Sequence, residues 1–369
     1  MQWLDENPDV NAGKVRILED HKTVVVYWKG DPPAGLLDFV TSLPVPVSVR
    51  KATYSKAELM AAARVLKRDN PGVVSGAGPN RDYSAVRITL SKKVPAPETM
   101  LAALRARGLV PIEFGGVEEV VSLDGRTPSR TCPLTPAGGT AARCGDVSPF
   151  YGGGLMHKYG SSEACSIGAS VYAPPSYNYV TTAWHCGAGR WDSYDSGRTV
   201  GVANTTQYNI LHDIRVIPAT STGRIWTGDG YTTSSRAVYA AKYVPEGFRV
   251  VCSCGASGNS LIAQYVVLQD WEWDDDYGAA HVGFRVETYT ASATGTVQRG
   301  DSGSPIIRSN SAGQFEVNGF LSGGVDGYIT LWCQNGRHDG FNGPCYDAYS
   351  ASNATHALAS MALYIKIQP

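Results

Sequence analysis

The stretch from Gln298 to Pro305, QRGDSGSP, contains a serine preceded by Gly-Asp and followed by Gly. Glycine accepts backbone angles that other residues resist and leaves room for a second chain, so Ser302 is expected on a tight turn that a substrate can reach. A serine hydroxyl is a poor nucleophile until a neighbouring base takes its proton, and a third group must orient that base. Ser302 is therefore a candidate nucleophile if the chain supplies both partners.

Two other stretches supply these partners. The run YVTTAWHCG, from Tyr179 to Gly187, is an apolar, β-branched strand that ends in a histidine. The run ILHDIRVI, from Ile210 to Ile217, has a strand-like pattern interrupted by one acid, which would be costly to bury without a partner. We therefore predict that His185 is the base and that Asp213 orients it.

The motifs TTAWHCG, HDIRVI and RGDSGSP resemble the three signature segments of chymotrypsin-fold serine proteases. Their order, histidine before aspartate before serine, differs from the orders in subtilisins and α/β-hydrolases. Neighbouring segments (GG at 153–154, EACSIG at 163–168 and LSGG at 321–324) resemble the bacterial α-lytic protease and streptogrisin branch, especially its secreted actinobacterial members. The resemblance covers residues 150–369 and implies two six-stranded antiparallel barrels with the triad in the cleft between them.

The residue pattern in this part of the chain agrees with an all-β fold. Short runs rich in Val, Ile, Tyr and Thr alternate with Gly, Asn, Asp and Ser turns. Strands are predicted at residues 198–203, 239–251, 261–268, 282–290, 303–307 and 315–321. A terminal helix is predicted at residues 354–363.

The resemblance also assigns binding roles. The backbone N–H groups of Gly300 and Ser302 are expected to form an oxyanion hole. Residues Ser322, Gly323 and Gly324 are expected to pair with the substrate backbone as an added strand. The family has a basic residue where this chain has Ser253, which leaves the partner of Asp301 open.

By the same resemblance, Thr296, Val297 and Leu321 are expected to line or approach the pocket for P1, the substrate residue before the cleaved bond, and none of them is acidic. A basic P1 side chain would lack a buried counter-charge there, so an apolar or aromatic P1 residue is predicted. Arg299 is expected at the rim, where it would favour acidic neighbours. Asp326 follows closely enough in sequence to reach the pocket.

The chain contains eight cysteines, an even number that is typical of secreted proteins with disulfides. The resemblance pairs Cys165 with Cys186, in the bridge that closes the loop carrying His185. This pairing ties the candidate base to a neighbouring strand.

The other six cysteines are less constrained. Local spacing favours two pairs, Cys132 with Cys144 and Cys333 with Cys345. Cys252 and Cys254 leave two alternatives open: a tight bridge between them, or a zinc site that they would share with His338.

Residues 1–126 differ in composition and carry no chemical motif. Strands are predicted at residues 15–18, 23–28, 45–52, 86–90, 110–114 and 117–123. Helices are predicted at residues 35–42 and 97–107, and a third begins at Ser55, which forms a capping-box pattern with Glu58. These elements predict a small α+β module with helices on one face of an antiparallel sheet.

This module resembles, by position, the pro-region of the α-lytic protease family, which assists folding and blocks the active site. The Gly/Pro/Thr-rich residues 127–148 are predicted to be a linker, and residues 149–369 the protease domain. Self-processing is predicted near residues 146–152, with Phe150 at P1. Retention of the uncleaved module is the alternative.

Composition excludes several other classes of protein. The 369 residues, 43% apolar and 18% charged, are enough for two or three domains, and a net charge of -1 argues against a general affinity for nucleic acid. No apolar run of 18 residues and no N-terminal leader are present, so neither a membrane span nor a signal peptide is predicted. We interpret Met1 as replacing a removed leader and expect a secreted protein without cofactor or metal.

The sequence thus predicts a serine endopeptidase that acts on peptide or protein substrates through an acyl-enzyme. It is expected to be made as a precursor that residues 1–126 inhibit intramolecularly. Two alternatives stay open: a catalytically silent protease-fold binding module, and an esterase or amidase that uses the same triad.

Overall fold

The computed structural model describes residues 11–18, 23–108, 110–123, 125–126, 143, 145–194, 196–228, 232–256, 258–259, 264–288, 294–326, 328–330, 332–333 and 345–368. The chain divides into two compact units. The first comprises Met1–Glu119, Val244–Phe248 and Tyr265–Asp274. The second comprises Val120–Tyr243, Arg249–Gln264 and Asp275–Pro369.

The first unit contains both helices and sheets. One sheet has the strand order Ala12–Ile17, Val24–Lys29, Val47–Ala52. In the other, the order is Gln264–Asp274, Val74–Pro79, Val86–Leu90, Ile112–Val117. Among the described residues the helices are Ala34–Ser42, Lys56–Asp69 and Pro97–Arg107. Apolar side chains from Lys56–Asp69, Pro97–Arg107 and the strands share one core, which includes Val25, Leu59, Ile88 and Leu101. Leu36 of Ala34–Ser42 packs in a separate cluster with Val26 and Trp28.

The helix Lys56–Asp69 begins where the sequence predicts. The hydroxyl of Ser55 accepts the backbone N–H of Glu58 at 3.3 Å, and the Glu58 carboxylate accepts the backbone N–H of Ser55 at 2.9 Å. This reciprocal capping box satisfies two N–H groups that lack partners within the helix. The capping-box prediction is therefore confirmed.

The strand Val74–Pro79 was not predicted, because its sequence, VSGAGP, has glycines typical of a turn. The structure gives a packing reason for Gly76. A Cβ atom there would lie 2.3 Å from the ring of Trp271, so only glycine lets this ring pack against the strand.

The second unit consists almost entirely of strands, and two of its sheets contain the residues around His185 and Asp213. In one, the order is Thr199–Ala203, Gly189–Ser193, Leu155–Lys158, Glu163–Ser166, Gly125–Arg126. In the other, it is Tyr208–Asn209, Ile214–Pro218, Tyr177–Thr182, Ser170–Ala173, Tyr364–Ile365.

A third sheet of this unit contains the segments around Ser302. Its strands run in the order Gly258–Asn259, Arg249–Cys254, Pro305–Ser309, Phe315–Asp326, Ala348–Asn353, Ala280–Thr288. Glu119–Ser122 and Ser235–Ala241 also pair with Phe315–Asp326, and Ser221–Trp226 pairs with Ser235–Ala241 and Phe150–Gly152. The remaining short strands are Thr294–Gly295, Val297–Gln298, Ile329–Thr330, Trp332–Cys333 and Cys345–Tyr346.

The strand Ile214–Pro218 shows how this unit is packed. Successive side chains of a strand point to opposite faces, and here Ile214 and Val216 enter one apolar cluster while Ile217 enters another. All three are buried. The strand is therefore fixed from both sides, and so is Asp213 at its start.

Several predicted elements differ in the structure. The sheet predicted as antiparallel in the first unit is two mixed sheets, because Val24–Lys29 pairs parallel with Val47–Ala52 and Val86–Leu90 pairs parallel with Ile112–Val117.

The single strand predicted at residues 239–251 is two strands, Ser235–Ala241 and Arg249–Cys254. Pro245 lacks an N–H for a sheet, and Gly247 has a φ of 87°, which extended strands do not adopt. The terminal helix is Ala354–Ser360, capped by the Asn353 side chain, and ends three residues before the predicted limit.

Candidate active site

Ser302 lies on a turn that requires glycine on both sides. Gly300 and Gly303 have φ angles of 92° and 86°, in the left-handed region that favours glycine. A Cβ atom at Gly303 would lie 2.7 Å from the backbone nitrogen of Ala183. The glycines of the motif thus shape the turn and let the strand that leads to His185 approach it.

Ser166 holds this turn in place. Its backbone N–H donates to the carbonyl of Ser302 at 2.8 Å, and its hydroxyl donates to the carbonyl of Gly300 at 2.8 Å. Because Ser166 follows Cys165 directly, the same strand is joined to the turn of Ser302 and, through the disulfide, to the turn of His185.

His185 lies on a short 3-10 turn, Trp184–Cys186, just beyond the strand Tyr177–Thr182. The predicted disulfide between Cys165 and Cys186 is present, with Cα atoms 6.3 Å apart. Both sulfurs are buried. The bridge limits movement of the turn and therefore of the His185 ring.

Asp213 stands at the start of the strand Ile214–Pro218 with a φ of 42°, which is uncommon for a residue other than glycine. Its backbone N–H donates to the carbonyl of Ile210 at 2.9 Å, which closes a turn. This turn directs the Asp213 carboxylate at His185.

The three predicted residues form a continuous hydrogen-bonded chain. The Nε2 atom of His185 lies 2.7 Å from the Oγ atom of Ser302, and its Nδ1 atom lies 2.9 Å from Oδ2 and 3.0 Å from Oδ1 of Asp213. The Asp213 carboxylate also accepts the backbone N–H of His185 at 3.2 Å. A carboxylate at Nδ1 keeps the proton on that nitrogen, so Nε2 can accept the hydroxyl proton of Ser302.

Asp213 is fully buried, yet its carboxyl group stays ionised. Burial alone would raise its pKa, but the charge and hydrogen bonds of His185, the charge of His281 and the hydroxyl of Ser322 together lower the pKa to about 2. The Ser322 hydroxyl donates to Oδ2 at 2.6 Å. Asp213 can therefore stabilise a cation on His185 at neutral pH.

Asp301, whose partner the sequence left open, is fully buried and accepts two backbone N–H groups. The donors are Gln298 and Ala256, each at 2.8 Å. Ser253, in the position where the family has a basic residue, instead accepts a hydrogen bond from the guanidinium of Arg143 at 2.8 Å.

Arg143 was missed by sequence reasoning because it lies in the predicted linker. It is fully buried, and it also donates to the carbonyls of Gly153 and Gly228, both at 2.7 Å. These hydrogen bonds compensate for removing the guanidinium from water. No local pattern distinguishes this arginine from an exposed one.

The predicted substrate-binding strand is occupied by the chain itself. Leu321, Ser322, Gly323 and Gly324 all lie in Phe315–Asp326, which pairs with Glu119–Ser122. A Cβ atom at Gly323 would lie 2.7 Å from the side chain of Val120 and 2.7 Å from the carbonyl oxygen of Val121. Glycine here permits the close backbone contact.

The same segment reaches the predicted oxyanion donor. The backbone N–H of Gly300 donates to the carbonyl of Leu123, and Leu123 and Ser302 are both fully buried. Beyond this point Gly125–Arg126 pairs antiparallel with Glu163–Ser166, Gly125 opposite Ala164. The chain thus pairs with a strand on each side of Ser302, as an extended peptide substrate would.

Two of the predicted pocket residues, Thr296 and Val297, lie next to Tyr346. Thr296 donates its backbone N–H to the Tyr346 carbonyl at 2.9 Å, and Val297 pairs with Tyr346. A Cβ atom at Gly324 would lie 2.5 Å from the Tyr346 ring. Thr296, Val297 and Leu321 are buried, and Arg299 is half-buried.

Tyr346 was not predicted, because a single tyrosine after a cysteine carries no signal of its own. Burial is the main reason that its pKa is raised, and the charge of Asp326 adds to this rise while that of Arg299 opposes it. The rim position of Arg299 stays a prediction.

The ring of Tyr277 lies over one face of the His185 ring. The two rings are nearly parallel, with centroids 6.3 Å apart. The Asp275 carboxylate accepts the backbone N–H groups of Tyr277 and Ala279 at 3.0 and 2.8 Å, which fixes the turn. The acidic segment DDDYG is typical of a turn but does not indicate which ring it would cover.

The remaining cysteine predictions have mixed outcomes. Cys252 and Cys254 form a disulfide, so neither sulfur is a thiolate that could bind zinc. Cys345 is disulfide-bonded. Cys132, Cys144, His338 and the side chain of Cys333 lie outside the described residues.

Within the described ranges, no group of three or more His, Cys, Asp or Glu side chains is arranged to hold a metal ion. None of the described helices is long and apolar enough to cross a membrane.

The Cys165–Cys186 bridge gives a direct test. Non-reducing peptide mapping is expected to recover these two positions as one cross-linked peptide pair. Replacing both cysteines with serine is expected to lower the free energy of unfolding by about 2 to 5 kcal/mol, because the unfolded chain loses a constraint. Free thiols at both positions in the native protein would contradict the assignment.

No protein-family model matches the chain, and no curated protein is similar to it in sequence. Solved structures are similar. Thermobifida fusca protease A is 19% identical, with 59% of this chain and 98% of that chain covered and a TM-score of 0.43. Nocardiopsis protease is 20% identical (58% and 98% covered, TM-score 0.42), and Cellulomonas bogoriensis chymotrypsin is 18% identical (59% and 98%, TM-score 0.42). Their fold is that of bacterial chymotrypsin-type serine proteases, the group that the motifs resemble.

Proposed function

We propose that this protein is a serine endopeptidase that cleaves peptide bonds through an acyl-enzyme. The observation that carries the proposal is the hydrogen-bonded chain from Ser302 through His185 to Asp213, next to a peptide carbonyl held by the N–H of Gly300. A nucleophile, a base, an orienting acid and an oxyanion donor are the four groups that this reaction needs.

In the proposed reaction, Oγ of Ser302 bonds to the substrate carbonyl carbon as its proton passes to Nε2 of His185. The N–H groups of Gly300 and Ser302 stabilise the oxyanion, and loss of one such donor typically costs about 3 to 4 kcal/mol of transition-state stabilisation. His185 returns the proton to the leaving amine as the carbon–nitrogen bond breaks. Water, activated by the same base, then hydrolyses the ester and releases the acid product.

The proposed P1 preference is for apolar or aromatic side chains. The side chains assigned to the pocket from Thr296, Val297 and Leu321 are uncharged, and burying a charge without a partner is costly. The chain's own Leu123, whose carbonyl meets Gly300, is apolar and fully buried. A cationic P1 side chain is therefore expected to be a poor substrate.

The proposal includes intramolecular inhibition by residues 1–126, with residues 127–148 as a linker and 149–369 as the protease domain. The inhibitory segment is assigned to residues 120–126. Pairing of this segment on both sides of Ser302 supports the assignment, because a second peptide could not pair with the same edges. We also propose that the protein is secreted, because it contains disulfides, which persist in oxidising extracellular environments.

The geometry favours a different processing site from the one predicted at residues 146–152. Phe150 is buried in an apolar cluster with Met156 and Trp191, and it lies in a strand paired with Ser221–Trp226. In contrast, the carbonyl of Leu123 already meets the N–H of Gly300. The peptide bond after Leu123 is therefore the proposed bond, and its cleavage divides the chain into residues 1–123 and 124–369.

One mass experiment tests both the function and this bond. The wild type is incubated, treated with a fluorophosphonate, which labels activated serines, and weighed intact. We expect a fragment of residues 124–369 that carries one label, on Ser302. The Ser302→Ala chain is expected to stay whole and unlabelled.

A Leu123→Asp chain separates the possible failures, because a buried carboxylate disfavours occupancy of the pocket. This chain is expected to stay uncut after Leu123. Its Ser302 is expected to react with the fluorophosphonate faster than Ser302 of an uncut wild-type chain, in which residues 120–126 still block the site. If the wild type is labelled but not cleaved after Leu123, the proposed processing site is wrong, while the proposed enzyme function still stands. Absence of label in all chains would favour the silent binding module, and turnover of esters without peptides would favour the esterase.

A further inference from the structure

A second buried histidine lies behind the candidate triad. His281, in the strand Ala280–Thr288, has no exposed surface. Its Nδ1 atom lies 2.6 Å from the carbonyl oxygen of Ile210, and its Nε2 atom lies 2.9 Å from Oδ2 of Asp275. A carbonyl and a carboxylate only accept hydrogen bonds, so both ring nitrogens must donate. His281 is therefore a buried imidazolium cation.

The surrounding charges agree with this protonation state. Burial lowers the pKa of His281, but the hydrogen bond that it donates to Asp275, the negative charges of Asp213 and Asp275 and the Ile210 carbonyl together raise it. His212 is the other titratable group that faces it, and its pKa is lowered, mainly by burial and then by His356. His281 is thus the cation between two carboxylates, while His212 is neutral at neutral pH.

His281 joins the two turns that flank the triad. The Ile210 carbonyl that it binds also accepts the backbone N–H of Asp213, and the next residue, Val282, donates its N–H to the carbonyl of Leu211 at 2.8 Å. On its other side, the Asp275 carboxylate fixes the turn whose Tyr277 ring covers His185. Moving His281 would therefore disturb both the acid and the covered face of the base.

We infer that His281 is a positioning residue of this site: as a buried cation it holds the turn of Asp213 and the turn of Tyr277 together and disfavours a second cation on His185 before substrate binds. The inference rests on the proposed endopeptidase function. His281 touches no reacting atom, so it acts through Asp213 and His185. If it is replaced by a neutral side chain, Asp275 keeps a negative charge without its counter-ion, and protonation of His185 becomes easier.

The test is the pH profile of kcat/KM for an apolar peptide substrate, measured from about pH 4 to about pH 9 on the full chain carrying Leu123→Asp and on the same chain with His281→Gln added. In the variant, kcat is expected to fall about 10- to 100-fold with KM little changed, because the reacting groups are misplaced. The acid limb is expected to move to higher pH by about 0.5 to 1 unit. A thermal melt verifies that the variant folds.

Two further variants isolate the charge. His212→Gln replaces a histidine that is next to Asp213 in sequence and neutral, and its acid limb is expected to match the Leu123→Asp parent chain. Adding Asp275→Asn to His281→Gln removes the uncompensated carboxylate and is expected to move the acid limb back towards its position in the parent chain. This partial recovery is not expected if His281 only fills space.

The outcomes decide among distinct explanations. Lower activity with an unmoved acid limb in His281→Gln would overturn the inferred role of the charge, and unchanged activity would overturn the positioning role. Should His281→Gln fail to fold, Asp275→Asn alone serves: it deprives His281 of the carboxylate that keeps it protonated, so the alkaline limb must move to lower pH. Absence of any turnover in the Leu123→Asp parent chain would count against the proposed function instead.

Discussion

Replacing Ser302 with alanine is expected to lower the turnover of an apolar peptide substrate by on the order of a millionfold. The Oγ atom of Ser302 is the group that lies 2.7 Å from Nε2 of His185, and without it no acyl-enzyme can form. Both chains should carry Leu123→Asp, so that the chain's own segment competes equally weakly in each. The measurement is kcat/KM with a chromogenic peptide that has leucine or phenylalanine at P1.

A matched control is Ser309→Ala, at an exposed position at the end of the strand Pro305–Ser309. This change is expected to leave kcat/KM within about twofold, and both variants should melt within a few degrees of their parent. Near-normal turnover by the Ser302→Ala chain would show that another residue is the nucleophile.

The three candidate catalytic residues could be predicted because the residues next to them in sequence are typical of the backbone conformation that each one needs. Gly300 and Gly303 adopt positive φ angles beside Ser302, and glycine is the residue that does so at little cost. The strand before His185 and the strand after Asp213 likewise show the apolar patterns that their burial requires. Types and spacing thus indicated the three residues, while the distances among them needed the fold.

Residues whose contacts span long sequence separations have no such local sequence pattern. Arg143 reaches Ser253, and His281 reaches the carbonyl of Ile210, in each case from a segment with no distinctive pattern. The contact of Leu123 with Gly300 was also missed, because the strand predicted at residues 117–123 looked like an ordinary strand of the N-terminal module. Only the pairing of strands brings these groups together.

Local rules also account for the secondary structure that was and was not predicted. The capping box of Ser55 and Glu58 marks a helix start through contacts three residues apart, so the sequence suffices. In Val74–Pro79, by comparison, the glycines serve packing against Trp271, which lies almost 200 residues away in the chain. A pattern rule interprets such glycines as turns because it cannot detect the distant ring.

The ionised carboxylate of Asp213 is expected to make the free energy of unfolding depend on pH. Its pKa of about 2 lies below the usual value of 3.8, so the ionised carboxylate adds about 2 kcal/mol to the free energy of unfolding above pH 4. This contribution is lost as the pH falls from about 4 to about 2. In Asp213→Asn the free energy of unfolding is expected to fall less steeply over that interval, as measured by denaturant titration.

The same Asp213→Asn change is expected to lower kcat about ten-thousandfold near neutral pH. An amide at this position can donate to Nδ1 of His185, which moves the imidazole proton to Nε2 and leaves no acceptor for the hydroxyl of Ser302. Asp192→Asn is the control, since Asp192 is also a buried acid but pairs with Arg190 at 2.9 Å. A loss of less than about tenfold in Asp213→Asn, in a protein with its native melting temperature, would mean that another group orients His185.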